Sequence, residues 1–85
     1  MHTPYSQILV NRIHALCKAR GISINKLSSM STVKQSTLDN LMRGETVNPK
    51  IRTLHKIASA FGMTLAEFLD YRELNEYSFE DKPDQ

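Results

Sequence analysis

The sequence of 85 residues contains one cysteine, no tryptophan, three glycines and three prolines. A single cysteine cannot form an internal disulfide, so an apolar core must hold the fold, and a reducing compartment is expected. No apolar run approaches the roughly 20 residues needed to cross a bilayer. The first residues also lack the unbroken apolar segment of a signal peptide. The sequence therefore predicts one cytoplasmic domain with no membrane contact.

Patterns typical of a metal site or an enzyme are also missing. His2, His14 and His55 show no ligand spacing with one another or with Cys17. No nucleophile lies beside a candidate base, and no glycine-rich loop could bind phosphate. Cys17 lies on an apolar helix stripe, which favours a core role over a redox role. We therefore predict no metal, no cofactor and no enzymatic activity.

Charge is distributed unevenly along the chain. Residues 1–56 contain nine Lys/Arg and two Asp/Glu, a net charge of +7, whereas residues 57–85 contain two and seven, a net charge of −5. A positive segment suits a polyanion, because neutralising phosphates releases counterions. The two parts of the chain are thus expected to face different partners.

Apolar residues at helical spacing predict five short helices and no sheet. The first helix begins near Pro4, which is tolerated in a first turn, and ends at Gly21. Ser23 is the expected N-cap of a second helix at about residues 23–30. A short turn leads to a third helix at about residues 33–43. These features predict an all-α fold.

Residues typical of helix boundaries also mark the third and fourth helices. The third helix is expected to begin at Thr32 or Lys34. Thr32 and Gln35 have the spacing of a capping box, and Gly44 follows the helix. Asn48 is the expected N-cap of the fourth helix, with Pro49 in its first turn. The predicted apolar stripe of that helix consists of Ile51, Leu54, Ile57, Ala58 and Phe61.

Thr64 and Glu67 have capping-box spacing at the start of a fifth helix. We therefore expect one domain at residues 4–72 and an acidic tail at residues 73–85. Most of the tail lacks the apolar surface to offset its ordering entropy and is expected to be loose. Four apolar or aromatic residues in this region could cover the domain's own core or form a homodimer interface. They are Tyr71, Leu74, Tyr77 and Phe79.

The third helix has two chemically different faces. Leu38, Leu41 and Met42 share one side and are expected in the core. The opposite side carries amides, a hydroxyl, a carboxylate and a guanidinium, whose donors and acceptors can match base edges in the major groove of DNA. Its residues are Gln35, Ser36, Asp39, Asn40 and Arg43. A polar face is also typical of a solvated helix. The surrounding sequence is therefore needed to distinguish a DNA-reading face from an ordinary solvated one.

Residues 9–71 resemble the Cro/CI-type helix-turn-helix family of phage repressors and xenobiotic-response-element regulators. The resemblance lies in RIHALCKARGIS, KLSSMSTVKQSTLDNLMRGE and NPKIRTLHKIASAFGMTLAEFL. It implies a five-helix domain of the lambda repressor-like type whose third helix enters the major groove. It also implies a homodimer on a two-fold symmetric DNA site.

The resemblance places the family's base-reading positions on Gln35, Ser36 and Asn40. Asp39 lies beside them and could accept a hydrogen bond from cytosine N4, so we include it among the base-reading residues. Gln35 or Asn40 could each form two hydrogen bonds with adenine. The predicted contacts with the DNA backbone are Lys34, Thr37, Arg43, Asn48 and Lys50.

The sequence departs from the family pattern at several positions. Thr32 lies where relatives usually have a glycine, and a β-branched residue at positive φ would be strained, so a shifted or differently built turn is expected. Ile24 lies where a phosphate-contacting glutamine is common. Cys17 and Met42 lie where many relatives have an arginine–glutamate pair, so an apolar contact is expected to replace an ion pair.

The sequence thus predicts a bacterial or phage transcriptional regulator, a repressor that binds double-stranded DNA as a homodimer. The alternative is a protein-interaction module or antitoxin that uses the same fold to bind a toxin, a sensor or polymerase. Ile24, Asp39 and the acidic tail favour this alternative.

Overall fold

The computed structural model describes residues 4–79, which contain six helices and no strand. The helices are α1 (Tyr5–Arg20), α2 (Ile24–Ser31), α3 (Gln35–Met42), α4 (Ile51–Ala60), α5 (Leu65–Leu69) and α6 (Arg72–Asn75). The prediction of an all-α fold is confirmed, and α6 is an additional short helix after the five expected ones. Within the described part of the chain, no helix has the length and apolarity of a membrane span.

Several helix boundaries follow the local rules applied to the sequence. Pro4 is the N-cap of α1, and Gly21 ends it with a left-handed φ of 64°. The Ser23 side chain accepts a hydrogen bond of 3.0 Å from the backbone N–H of Lys26. Thr64 forms the expected capping box at the start of α5. These predictions are confirmed.

The turn between α2 and α3 differs from the expected capping box. Lys34, not Thr32, is the N-cap of α3, and it makes no side-chain capping hydrogen bond. Thr32 instead ends α2 with a φ of 60°, and its hydroxyl donates to the carbonyl of Ser31. The capping-box prediction is therefore wrong, because Thr32 belongs to the end of the preceding helix. Thr32 adopts positive φ although it is β-branched, so the turn is not rebuilt to avoid this strain.

The start of α4 also lies later than the sequence predicted. Lys50 is the N-cap, with an extended ψ of 146°, and α4 begins at Ile51. Asn48 is therefore not the cap and Pro49 is not in the first turn. The side-chain oxygen of Asn48 instead accepts a hydrogen bond from the hydroxyl of Tyr5, which ties the loop to α1.

All five helices from α1 through α5 contribute to one apolar core, which holds the helix-turn-helix elements α2 and α3 in place. Helix α4 packs against α2 and α5, while α1 packs against α3 and α6. The buried apolar residues are Leu9, Val10, Ile13, Cys17, Leu27, Val33, Leu38, Leu41, Leu54, Ile57, Ala58, Phe61 and Phe68. The core role predicted for Cys17 is confirmed, and burial raises the pKa of its thiol.

Met42 is half-buried and packs against the same core that contains Cys17, so both residues that stand in place of the family's ion pair join the apolar interior. Ile51 does not belong to it, because its side chain is 62% exposed. The prediction of Ile51 as a core residue is wrong. It lies in the first turn of α4, at the edge of the apolar stripe, where most of its side chain is open to solvent.

Two arginines bind carbonyl groups at the ends of other helices. Arg12 donates to the carbonyls of Phe68 (3.0 Å) and Glu67 (3.1 Å), at the end of α5. Arg20 donates to the carbonyl of Phe61 (2.6 Å), at the end of α4. The last carbonyls of a helix lack the i+4 N–H partner of its interior, so these cations stabilise the helix ends. Both arginines therefore have a structural role.

The segment after α6 packs against the first turn of α1. The ring centroid of Tyr5 lies 6.3 Å from that of Tyr77 and 5.2 Å from that of Phe79. The Tyr77 and Phe79 centroids are 4.7 Å apart. Leu74 packs against the core, so the first residues of the expected tail cover the domain itself. Residues 80–85 of that tail lie outside the described residues.

Candidate nucleic-acid interface

The outer face of α3 is held in position by the buried side of the same helix. Leu38 and Leu41 are almost completely buried, at 0% and 1% exposure. On the other side Ser36 is exposed, whereas Gln35 and Asp39 are half-buried. Because the apolar residues fix the rotation of α3, its polar residues form a stable surface available for a partner.

Gln35 and Asp39 are hydrogen-bonded to each other on this face. They lie one turn apart, and Nε2 of Gln35 donates to Oδ1 of Asp39 over 2.8 Å. The amide of Gln35 is therefore held by a neighbour on its own helix before any ligand is bound.

A second set of polar contacts joins the end of α3 to the following loop. The guanidinium of Arg43 donates to Oδ1 of Asn40 over 2.7 Å and lies 3.3 Å from a carboxylate oxygen of Glu45. The backbone carbonyl of Asn40 also accepts from the N–H of Glu45 over 2.9 Å. Arg43, which was predicted to contact the DNA backbone, is thus partly neutralised by Glu45.

A groove of about 680 Å³ runs between α3 and the start of α4. Five of the predicted site residues line it: Lys34, Thr37, Asn40, Asn48 and Lys50. The other four, Gln35, Ser36, Asp39 and Arg43, lie outside this groove. The predicted residues therefore form two neighbouring surfaces, the outer face of α3 and the α3–α4 groove, which Asn40 joins.

Two cations in the groove were not predicted from the sequence. Arg52 and Lys56 lie one turn apart on α4 and line the groove together with Lys34 and Lys50. Within residues 4–79 none of these four forms an ion pair with an acidic residue. The i, i+4 spacing of Arg52 and Lys56, away from the apolar stripe, was the signal available in the sequence. The groove is therefore a positively charged surface.

Asn48 lies at the edge of this groove, and its contact with Tyr5 fixes its side chain. The hydroxyl of Tyr5 donates to Oδ1 of Asn48, which directs the amide nitrogen away from Tyr5. An amide N–H₂ group is a donor and can bind a phosphate oxygen.

The described residues contain no group of three or more His, Cys, Asp or Glu side chains that could hold a metal ion. The polar groups brought together at α3 and α4 are instead amides, hydroxyls and cations. Their chemistry is that of hydrogen bonding and charge attraction.

Comparisons with known proteins found similar chains. Over 62 residues the chain is 31% identical to the HTH-type transcriptional regulator DdrOP3 of Deinococcus deserti, covering 73% of this chain and 47% of that protein. The chain thus spans about half the length of this relative. The crystal structure of the prophage Lp1 protein 11 has the same fold, with a TM-score of 0.78, 23% identity and coverage of 91% of this chain and 100% of that chain.

The family comparison covers most of the described chain. Its match begins in α1 and continues through the helix-turn-helix and the α3–α4 groove into α6. Residues 12–73 match the family described as the Cro/C1-type HTH DNA-binding domain. This span contains every residue of the candidate interface, and the family is defined by DNA binding, not by an enzymatic activity. The chain belongs to the Cro/C1-type helix-turn-helix DNA-binding domain family.

Proposed function

We propose that this protein is a sequence-specific transcriptional regulator that inserts α3 into the major groove of double-stranded DNA. The observation that carries the proposal is the arrangement of the polar face of α3 next to a groove with four cations that have no acidic partner among the described residues. In this arrangement Gln35, Ser36 and Asn40 contact base edges. Asp39 lies on the same face of α3, hydrogen-bonded to Gln35.

The groove and the start of α4 would bind the DNA backbone. Lys34, Lys50, Arg52 and Lys56 supply positive charge, and Thr37 and Asn48 supply hydrogen-bond donors. The N-terminal N–H groups of α4 add a partial positive charge next to Lys50. Each phosphate neutralised releases counterions and should add about 0.9 to the slope of log affinity against log salt.

We further propose that the protein is a repressor in the bacterial cytoplasm and binds as a homodimer to a two-fold symmetric site. A domain of this size that covers a promoter would block access by polymerase. Two copies would place their α3 helices in successive major grooves, about 34 Å apart. The transcriptional regulator from Deinococcus deserti supports the regulatory role.

The second candidate function is binding of a partner protein, as in an antitoxin. The specific observation that favours it is a pair of exposed apolar side chains beside the groove, Val47 at 60% and Ile51 at 62% exposure. A toxin, a sensor or polymerase could cover these residues. In this case α3 would contribute polar contacts at a protein interface instead of reading bases.

The first experiment is selection of bound sequences from a random double-stranded DNA pool at about 0.15 M salt, where non-specific attraction is reduced. A two-fold symmetric motif would support a dimeric reader. Failure to enrich any sequence with a folded protein would contradict the proposed function and favour the protein-partner alternative.

Matched variants separate the roles of the two surfaces. Gln35→Ala should cost about 1–3 kcal/mol on the selected site and little on other sequences. Lys50→Ala should weaken binding to all duplexes and flatten the salt dependence. Lys18→Ala, which removes an exposed charge on α1 outside the groove, is the control. If Gln35→Ala lowered the affinity for every sequence equally, base reading by Gln35 would be contradicted.

A further inference from the structure

The hydrogen bond between Gln35 and Asp39 has a defined direction. An ionised carboxylate accepts hydrogen bonds and has no proton to donate. The end of the Gln35 amide that faces Asp39, over 2.8 Å, must therefore be the N–H₂ group. If the amide were turned by a half rotation, its carbonyl oxygen would face the carboxylate, and two acceptors would repel each other. Asp39 thus determines which way the amide of Gln35 is oriented.

This orientation limits which base edges Gln35 can bind. With one N–H bound to Asp39, the carbonyl oxygen and the second N–H of Gln35 remain available. Together they match adenine, which offers the N6 amino donor and the N7 acceptor in the major groove. Guanine offers two acceptors, O6 and N7, and would require the amide to present N–H groups where the carbonyl oxygen lies.

We propose that Asp39 is a positioning residue which holds the amide of Gln35 in the orientation that selects adenine over guanine. The proposal rests on the proposed function and assigns Asp39 a role different from a direct contact with cytosine. It also accounts for a negative charge on a surface that approaches a polyanion. The carboxylate lies beside the Gln35 amide and acts through it, so its benefit is specificity and its cost is affinity.

The variant Asp39→Asn tests this role because it keeps the shape of the side chain and removes the one-way hydrogen bond. An asparagine can accept from the Gln35 amide or donate to it, so both orientations of Gln35 become possible. The selection from a random duplex pool is run with the wild type, Gln35→Ala, Asp39→Asn, the double variant of these two, and Glu73→Gln. Glu73 is exposed on α6 outside the candidate interface, so Glu73→Gln removes the same charge as Asp39→Asn and serves as the control. Circular dichroism melting is used to check that each variant is folded.

The wild type is expected to prefer adenine to guanine by about tenfold at one position in each half-site, the discrimination of a good amide–base pair. Gln35→Ala should lose this preference. Asp39→Asn should reduce it to about threefold or less at the same position, while binding to random duplexes becomes tighter. Glu73→Gln should leave the preference at that position unchanged.

Three results would overturn the assignment. In the first, Asp39→Asn alters the preference at a position that Gln35→Ala does not affect, which would make Asp39 a direct base contact. In the second, Asp39→Asn leaves every preference unchanged, which would make the hydrogen bond irrelevant to recognition. In the third, the double variant Gln35→Ala/Asp39→Asn shows the sum of the two single effects at that position, since residues acting as a unit must be non-additive. A wild type that enriches no motif would instead contradict the proposed function itself.

Discussion

The hydroxyl of Tyr5 donates a hydrogen bond to the side-chain oxygen of Asn48, joining the first turn of α1 to the loop before α4. The ring of Tyr5 is itself held by Phe79, whose centroid lies 5.2 Å away. The conformation of a loop beside the candidate DNA surface therefore depends on residues near both ends of the described chain.

Tyr5→Phe should weaken binding to every duplex to a similar degree, because it keeps the ring but frees the Asn48 amide to rotate. A single hydrogen bond contributes about 0.5–1.5 kcal/mol, so the loss should be about two- to tenfold in dissociation constant. Titration of a selected and a random duplex measures it. Tyr71→Phe, which removes a hydroxyl outside the α3–α4 groove, is the control. A loss restricted to the selected site would contradict a role for Asn48 at the backbone.

Glu45→Gln should strengthen binding to all duplexes and make it more sensitive to salt. The change removes the carboxylate 3.3 Å from the Arg43 guanidinium, leaving that cation free to neutralise a phosphate. The slope of log affinity against log salt should increase by up to about 0.9. Glu73→Gln in α6 removes the same charge away from α3 and should have a smaller effect. Identical slopes for both variants would indicate only a change in net charge.

Thr32→Gly should stabilise the fold, because a β-branched residue at a φ of 60° is strained. Relief of a left-handed conformation is worth about 1–2 kcal/mol, and the added freedom of the unfolded chain offsets part of it. We expect a net gain of about 0.5–1 kcal/mol in the free energy of unfolding by urea denaturation. Ala15→Gly, at an exposed position within α1, should instead lose about 1 kcal/mol. A loss in both variants would show that Thr32 is not strained.

Stability should fall at alkaline pH partly because of Tyr71. Burial raises the pKa of its hydroxyl to about 12, opposed by the positive charge of Arg12 and assisted by the negative charge of Glu73. The unfolded chain releases this proton near its ordinary pKa of 10, so the folded state binds more protons above that pH. The contribution of Tyr71 is complete below pH 10 and is lost as pH rises toward 12.

Urea denaturation between pH 9 and pH 12 should therefore show a smaller pH dependence in Tyr71→Phe than in the wild type. The variant loses the hydrogen bond from this hydroxyl to the carbonyl of Ile8 (3.1 Å) and is less stable at neutral pH. Its curve should nevertheless approach that of the wild type as pH increases. Parallel curves would rule out titration of Tyr71 in this range.

The sequence predicted those features that depend on neighbouring residues. Gly21 and Ser23 mark helix ends through their own backbone and side-chain chemistry, so local rules sufficed. The periodic spacing of Leu38 and Leu41 similarly placed the buried side of α3.

Features that depend on distant contacts could not be predicted in the same way. Asn48 resembles a helix cap in sequence, but its oxygen is used by Tyr5, which is far away along the chain. Ile51 continues an apolar spacing but lies where no helix covers it. Net charge was also misleading, because Arg12 and Arg20 count toward the basic part of the chain yet bind carbonyls at helix ends.

The contact between Tyr5 and Phe79 joins the two most distant parts of the described chain. Closing a long loop costs the most entropy, and this contact returns little buried area because Phe79 remains 62% exposed. It should therefore form last during folding and break first in local opening, before the core of α1 to α5 is disturbed. Amide hydrogens in the first turn of α1 and around residues 77–79 should then exchange faster than those within α2 to α5. Opening of this edge would release Tyr5 from its aromatic neighbours and leave the Asn48 loop less restrained while the helix-turn-helix stays folded.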